Sequence, residues 1–369
     1  MRKYSWKRVV VMSIVHNMKR AYLILDNGRS FPGFRFGADT AASGELVFTT
    51  TGSYMESLID PNYSGQILVQ CFPQVGIYGI DEKSFEEKCY LSAYVVREWC
   101  QYPSNYNSIH TIDEYLKRHN IPGMCAIDTR ALAKEIRNNN GVRAMISDVF
   151  PAGFNATIVD PQMLITSSWE HLSPYTEKKY KVTIINCGIK QDVLDALRYK
   201  GCEIVLVPSN TTAETILNTN SDGILISDGP GDPRNQTSVI SEIRKLLGVR
   251  PMFGIGFGHQ LMALAAGGSC TRLASSHRGA NHPIRSVDNN RIYITRQNHG
   301  YVVRHDVLPE GGRVTLVNLN VRSCEGMDYP SLKAYSVQFV PTAGGGPNDT
   351  SYLYDKFFQL MEGVNNAVE

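Results

Sequence analysis

The 369-residue chain is 43% hydrophobic, enough to bury substantial cores, and its length favours two domains. Basic and acidic side chains number 37 and 35, a formal charge of +2 with no long block of one sign, so neither nucleic acid nor a membrane is indicated as partner. The eight cysteines are scattered without a CxxC pair, which suits reduced thiols in the cytoplasm and excludes a disulfide framework or a cysteine-built metal site; no metal is expected.

Residues 1–17 begin with basic residues and VVVMSIV, but the apolar run is short and no small-residue cleavage site follows it. They read as a disordered or misassigned leader, with Met18 resembling a natural start. Across residues 18–150 the apolar segments are short: AYLILD, RSFPGFRFG, GELVFTT, QILVQCF and CYLSAYVV. Asp26-Asn27-Gly28 between the first two is a hairpin signal. Thr111-x-x-Glu114 has capping-box spacing and predicts a helix to about His119; ALAKEIRNNNG, from Ala131, predicts a second. This half reads as a strand-rich α+β domain.

Residues 151–180 carry prolines and polar clusters without a sustained period and read as a linker. Beyond them, KVTIINCG, EIVLVPSN, DGILISDGPGDP and PMFGIG are nearly continuously apolar and alternate with amphipathic segments such as QDVLDALRYKG. That pattern predicts an α/β domain over 181–369, a mainly parallel sheet flanked by helices. Sites in such sheets gather at the carboxyl ends of strands, where GPGDP and GIGFGHQ fall.

Gly254-x-Gly256-x-Gly258 has the wrong spacing and the wrong place in its domain for a dinucleotide loop. It fits a nucleophile elbow, a strand turning sharply into a helix, with Gly256 at the nucleophile's position and the N–H of Phe257 facing a developing oxyanion. The segment alone fits a glycine-rich turn without chemistry equally well.

GIGFGHQLMALAAGG, SDGPGDP and QNHGY together resemble the class I glutamine amidotransferases. The first half narrows the resemblance. GELVFTTTGSYMESLIDPNYSGQILV, YLKRHNIPGMCAIDTRALAKEIR and INCGIKQDVLDAL are similar to the carbamoyl phosphate synthase small subunit, from about residue 18 to the C-terminus. The resemblance implies glutamine hydrolysis by a cysteine, a histidine and an orienting glutamate. Ammonia then passes to a large subunit that makes carbamoyl phosphate, for arginine or pyrimidine synthesis, and that holds the ATP and Mg; no cofactor is implied here.

The family's cysteine corresponds to Gly256. Its Q-G-H-P-E segment corresponds to Gln338-Phe339-Val340-Pro341-Thr342, which puts Val340 at the base and Thr342 at the acid. All three catalytic positions are therefore substituted, and no intact Cys–His pair emerges. Cys187 and Cys270 read as packed thiols, and His259 and His299 as buried hydrogen-bonded residues. The implied glutamine positions are Gly229, Gly231, Phe257, Gln260, Asn298, Gly300 and Tyr301, with Thr50 or Thr51 standing for a serine-bearing segment. Asp228 adds a carboxylate where the family has asparagine, while Phe257 and Phe339 add bulk. The expectation is a glutaminase-dead subunit supporting ammonia-dependent synthesis with a large subunit. The alternatives are a non-hydrolytic glutamine-sensing or scaffolding pseudo-enzyme, a paralogue serving another synthetase, and a glutaminase using displaced residues.

Overall fold

The computed structural model describes residues 18–139, 141–150, 154, 156, 158–165, 167–309, 311–342 and 349–363. The expected leader lies outside the described residues. The chain divides into two compact units, with the boundary between Asp160 and Pro161.

In the first unit seven strands close into a barrel: β1 (Arg20–Leu25), β2 (Ser30–Gly37), β3 (Ala42–Thr49), β4 (Ile67–Gln70), β5 (Ala93–Val96), β6 (Pro122–Cys125) and β7 (Arg143–Ser147). Their order is β1-β2-β6-β5-β4-β3-β7. Closure leaves no unpaired edge. Side chains alternate along each strand, so Leu46, Ile67 and Val69 enter one apolar cluster while Val47 and Leu68 enter another. Helices α1 (Tyr54–Leu58), α2 (Glu82–Phe85), α3 (Ile112–Arg118) and α4 (Thr129–Asn138) complete the unit. The Asp26-Asn27-Gly28 turn joins β1 to β2, with Gly28 at φ 84°. Thr111 and Glu114 form a reciprocal capping box at the start of α3, and Ile112, Tyr115 and Leu116 bury its inner face.

The second unit holds β8 (Glu170–Leu172), β9 (Tyr180–Asn186), β10 (Cys202–Pro208), β11 (Gly223–Ile226), β12 (Met252–Ile255), β13 (Cys270–Ser286), β14 (Ile292–Val303), β15 (Arg313–Asn318), β16 (Cys324–Tyr329) and β17 (Ala334–Val337). They form one sheet in the order β14-β13-β15-β16-β17-β12-β11-β9-β10-β8. Helices α5 (Gln191–Tyr199), α6 (Ala213–Leu217), α7 (Thr237–Leu246), α8 (Phe257–Ala265) and α9 (Tyr352–Met361) accompany it. The sheet expected to be mainly parallel is parallel only across β10-β9-β11-β12-β17. The flanking strands pair antiparallel. The reason is connection length: β13 to β17 follow one another through short turns, whereas a parallel pair needs a crossover. Strand β8 lies inside the stretch expected to be a linker and pairs with β10. Apolar side chains pack on both faces, as around Ile226, Leu261 and Met262 on one and Leu225, Phe253 and Phe357 on the other. No helix among the described residues is long and apolar enough to cross a membrane.

Candidate functional site

The elbow sits where β12 ends and α8 begins. Its backbone turns at Gly256, with φ 55° and ψ −108°, a conformation that penalises residues with a Cβ. Close packing fixes the flanking glycines: a Cβ at Gly254 would lie 2.5 Å from Met262 Sδ, and one at Gly258 2.2 Å from the Ile226 carbonyl. The turn therefore has the tight shape of an elbow while its centre bears no side chain.

A different side chain fills that centre. Asp228 follows β11, and its Oδ1 accepts hydrogen bonds from Phe257 N–H and Gly229 N–H, both at 2.9 Å. A Cβ placed on Gly256 would lie 2.0 Å from the same oxygen and 2.3 Å from Asp228 Cγ. Two backbone donors converging on one oxygen at this distance is the geometry that stabilises an oxyanion in acyl transfer. Here the oxygen belongs to the protein. Gly229 itself has no room for a side chain, since a Cβ would stand 2.3 Å from the Cys187 carbonyl. Gln162 Nε2 ties this loop down, donating to Cys187 O at 3.0 Å and Pro230 O at 2.7 Å. Gly231 completes the turn at φ 101°.

The other two expected catalytic positions follow β17. Val340 is buried in the apolar cluster that contains Ile184, Phe339 and Leu353. The Thr342 hydroxyl donates to Asp192 Oδ2 at 2.7 Å and is tied to α5. Neither side chain can take a proton from a thiol. Gln338 does reach the elbow: its Oε1 accepts from Gln260 Nε2 at 3.0 Å, and its Nε2 lies 3.4 Å from Gly256 O.

Gln260 Nε2 also donates to Tyr301 O at 2.8 Å, linking α8 to β14. Asn298 accepts from Arg278 Nη1 through its Oδ1, while its Nδ2 is buried without a partner among the described residues. The Tyr301 ring lies beneath the guanidinium of Arg234, 5.4 Å from its centroid. At Gly300, between Asn298 and Tyr301, a built Cβ would stand 3.3 Å from Ser276 Oγ, a tight contact that the serine would have to yield to. Thr51 belongs to the first unit, where Gln70 donates to its carbonyl and its hydroxyl lies 3.2 Å from Thr49 Oγ1.

Among the described residues, no displaced nucleophile and base come together. Burial, with Asp228 adding to it, pushes the Cys187 thiol up to about 12; burial likewise pushes Cys270 up to about 12. The sulfur of Cys270 lies 3.7 Å from Gln260 O. Both are thiols, not thiolates, near neutral pH. His259 is fully buried, contacts Ser336 Oγ at 2.7 Å through Nδ1, and burial lowers it to about 3. Burial also holds His299 well below the usual histidine range. Among the described residues, one group offers metal-ligating atoms in proximity: His277, His299 and Glu325. Sequence reading missed it because these residues lie on three strands and follow no spacing motif.

Comparison with known proteins agrees with this architecture. Residues 183–360 match the family of class-I glutamine amidotransferases, and residues 23–146 match the carbamoyl-phosphate synthase small chain, CPSase domain. The carbamoyl phosphate synthase small chain of Fusobacterium nucleatum is 38% identical over 354 residues, spanning 94% of this chain and 99% of its own. That of Clostridium acetobutylicum is 38% identical, spanning 92% of this chain and 100% of its own. That of Clostridium perfringens is 40% identical, spanning 92% and 99%. With both halves matched in order and these relatives aligned along nearly their whole length, the chain belongs to the carbamoyl phosphate synthase small chain family and carries a class I glutamine amidotransferase domain in its second half.

Proposed function

We propose that this chain is a small subunit that has lost glutamine hydrolysis and supports carbamoyl phosphate synthesis from free ammonia by a large synthetase subunit. In this reading Gly256, Val340 and Thr342 stand at the positions of the family's cysteine, histidine and glutamate. Gly229, Gly231, Phe257, Gln260, Asn298, Gly300, Tyr301 and Thr51 are what remains of the glutamine-facing set.

The observation that carries the proposal is Asp228. Its carboxylate takes both donors that a tetrahedral intermediate would need, and it occupies the volume a nucleophile's Cβ would require. Substituting the nucleophile removes the attack; filling the donor pair removes the stabilisation that would survive it, which by itself is worth roughly 10²–10³-fold in such enzymes. The test is a purified complex with the large subunit, comparing glutamine with ammonium as nitrogen donor. Ammonium-supported synthesis with no glutamine-dependent turnover is expected. Glutamine-dependent turnover by the unaltered chain, or failure to associate with a large subunit, refutes the proposal.

A second reading, a glutamine sensor without hydrolysis, draws on the buried and unpartnered Asn298 Nδ2, a polar group that a ligand could satisfy. It requires millimolar glutamine to raise the melting temperature of the isolated chain, and an unchanged melt eliminates it.

A further inference from the structure

Gln297 of β14 lies between two imidazoles and a carboxyl group. One terminus of its amide is 2.9 Å from His277 Nδ1 and 3.2 Å from His299 Nε2, and the other is 2.8 Å from Glu325 Oε2. His277 and His299 are cross-strand partners on β13 and β14, and Glu325 stands on β16. Glu325 is fully buried, and its Oε1 accepts from Ser323 Oγ at 2.7 Å.

The hydrogens of this cluster follow from one fixed end. His299 Nδ1 meets the Tyr301 carbonyl at 2.8 Å and must carry a hydrogen, so the neutral ring offers a lone pair at Nε2. The amide terminus facing Nε2 is therefore the NH2 group, whose two hydrogens serve His299 Nε2 and His277 Nδ1. The amide oxygen then faces Glu325 Oε2 at 2.8 Å. Two oxygens this close in a buried site need a hydrogen between them, and Glu325 is the group that can carry it. Thr295 Oγ1, 3.2 Å from the same amide terminus, has a hydrogen of its own to turn towards it or towards His282 O at 2.9 Å.

The same number of protons allows one other arrangement: an imidazolium at His299 and a carboxylate at Glu325, with the amide turned about. That places two charges, held apart by the amide, where both lose their hydration. The neighbours favour the neutral form. Burial holds His277 and His282 of β13 and His299 of β14 below the usual histidine range, and the Arg278 guanidinium of β13 further opposes a charge on His299. Strand β15 presents the Asn318 amide, and β17 reaches Glu325 through the Gln338 N–H. Burial accordingly pushes the Glu325 carboxyl up to about 8.

The proton lies at the head of a circuit that ends at the elbow. The Tyr301 carbonyl that fixes His299 also accepts from Gln260 Nε2 at 2.8 Å, and Gln260 donates to Gln338 Oε1 at 3.0 Å. Gln338 Nε2 lies 3.4 Å from Gly256 O, while its backbone N–H donates to Glu325 O at 2.9 Å. The circuit leaves Glu325 by its side chain and returns to its backbone, tying β14, β16, β17 and α8 together.

We infer that Glu325 is a positioning residue that works as a neutral acid: its O–H orients Gln297, Gln297 donates to His299, and His299 holds the segment Asn298–Tyr301 against Gln260 beside the elbow. Loss of the proton turns the amide and sets its oxygen against the His299 Nε2 lone pair, so this wall loosens in alkaline solution. That the segment faces a ligand rests on the function proposed above; the place of the proton does not.

The test begins with infrared spectra of the full, unaltered chain at neutral pH. An un-ionised carboxyl band is expected, shifted by isotope-labelled glutamate, absent from Glu325→Gln, and lost as pH rises through about 8. Nitrogen NMR of the histidine-labelled chain should show His299 neutral, with its hydrogen on Nδ1. Hydrogen exchange, corrected for its intrinsic pH dependence, reads the positioning. Protection of Asn298–Tyr301 should fall over the same pH range in the unaltered chain, stay constant in Glu325→Gln, which supplies the hydrogen without titrating, and be low throughout in Glu325→Ala. Four outcomes overturn the inference: no un-ionised glutamate band at neutral pH; a band that survives in folded Glu325→Gln; hydrogens on both nitrogens of His299; or equal protection in all three folded chains at every pH. If a variant does not fold, the band and the His299 hydrogens, both read on the unaltered chain, decide.

Discussion

At the scale of single residues, Gly256 and Asp228 act as a coupled pair. Gly256→Ala forces a Cβ into the Asp228 carboxylate at a turn already in a penalised conformation. It is expected to destabilise the second unit by about 1–3 kcal/mol, and the cost should shrink in an Asp228→Ala background. Denaturant melts of the two single variants and the double variant measure this coupling, expected at about 0.5–3 kcal/mol. A purely additive cycle would show that the two positions do not compete for space. If Gly256, Val340 and Thr342 stand at the catalytic positions as proposed, Gly256→Cys alone should give no glutaminase activity, because the three groups work as a unit. Restoring Gly256→Cys, Val340→His and Thr342→Glu together should give turnover roughly 10²–10³-fold lower with Asp228 than with Asp228→Asn, read as ammonia release. The aspartate was visible in the sequence as a departure from the family pattern. Its occupation of the donor pair was not, because that depends on a side-chain rotamer and on a contact between two loops distant in the chain.

At the scale of elements, the capping box of α3 was legible from Thr111 and Glu114, since its chemistry is local. Thr111→Ala should cost about 1 kcal/mol, seen as a lowered denaturation midpoint with unchanged slope. The hairpin at Asp26-Asn27-Gly28 and the parallel strands β9 to β12 were legible for the same reason, as continuous apolar runs closed by turn residues. Strands β13 and β14 were not. Their segments CTRLASSHRGANHPIRS and IYITRQNHGYVV are largely polar, and β13 is broken by register shifts, so no period of two survives to be read. Helix α8 carries a further prediction through His259, buried against Ser336 of β17. Its ring binds a proton at about 3 when folded, because burial disfavours the charge, against 6.5 for the free side chain. Between these values the unfolded chain holds the extra proton, so stability falls as pH drops from about 6.5 towards 3 and stops falling below that. The slope from this residue is about 1.4 kcal/mol per pH unit, and His259→Gln should flatten the pH dependence of the melting temperature in that window.

At the scale of the whole molecule, each of the two units has its own apolar clusters, those of the first on both faces of a closed barrel and those of the second on both faces of a mixed sheet. Unfolding is therefore expected to depart from a single two-state transition. Circular dichroism and intrinsic fluorescence should give non-coincident denaturation curves, and coincident curves would mean one cooperative body. The division into two parts was legible because the apolar rhythm changes along the chain. The place of the boundary was harder to read, since β8 is short and polar and looks like connection until its partner β10 is seen.

The contact between Asp228 and the empty elbow also constrains the order in which this gene could change. A cysteine codon arriving at position 256 while Asp228 remains would meet the carboxylate at once, and the chain would lose stability without gaining an activity to be selected. Replacing Asp228 first by asparagine keeps an acceptor oxygen for both donors but brings no gain while Gly256 bears no side chain. On the proposed reading neither single change restores hydrolysis, and the order matters, because a side chain at position 256 finds room only after Asp228 has changed.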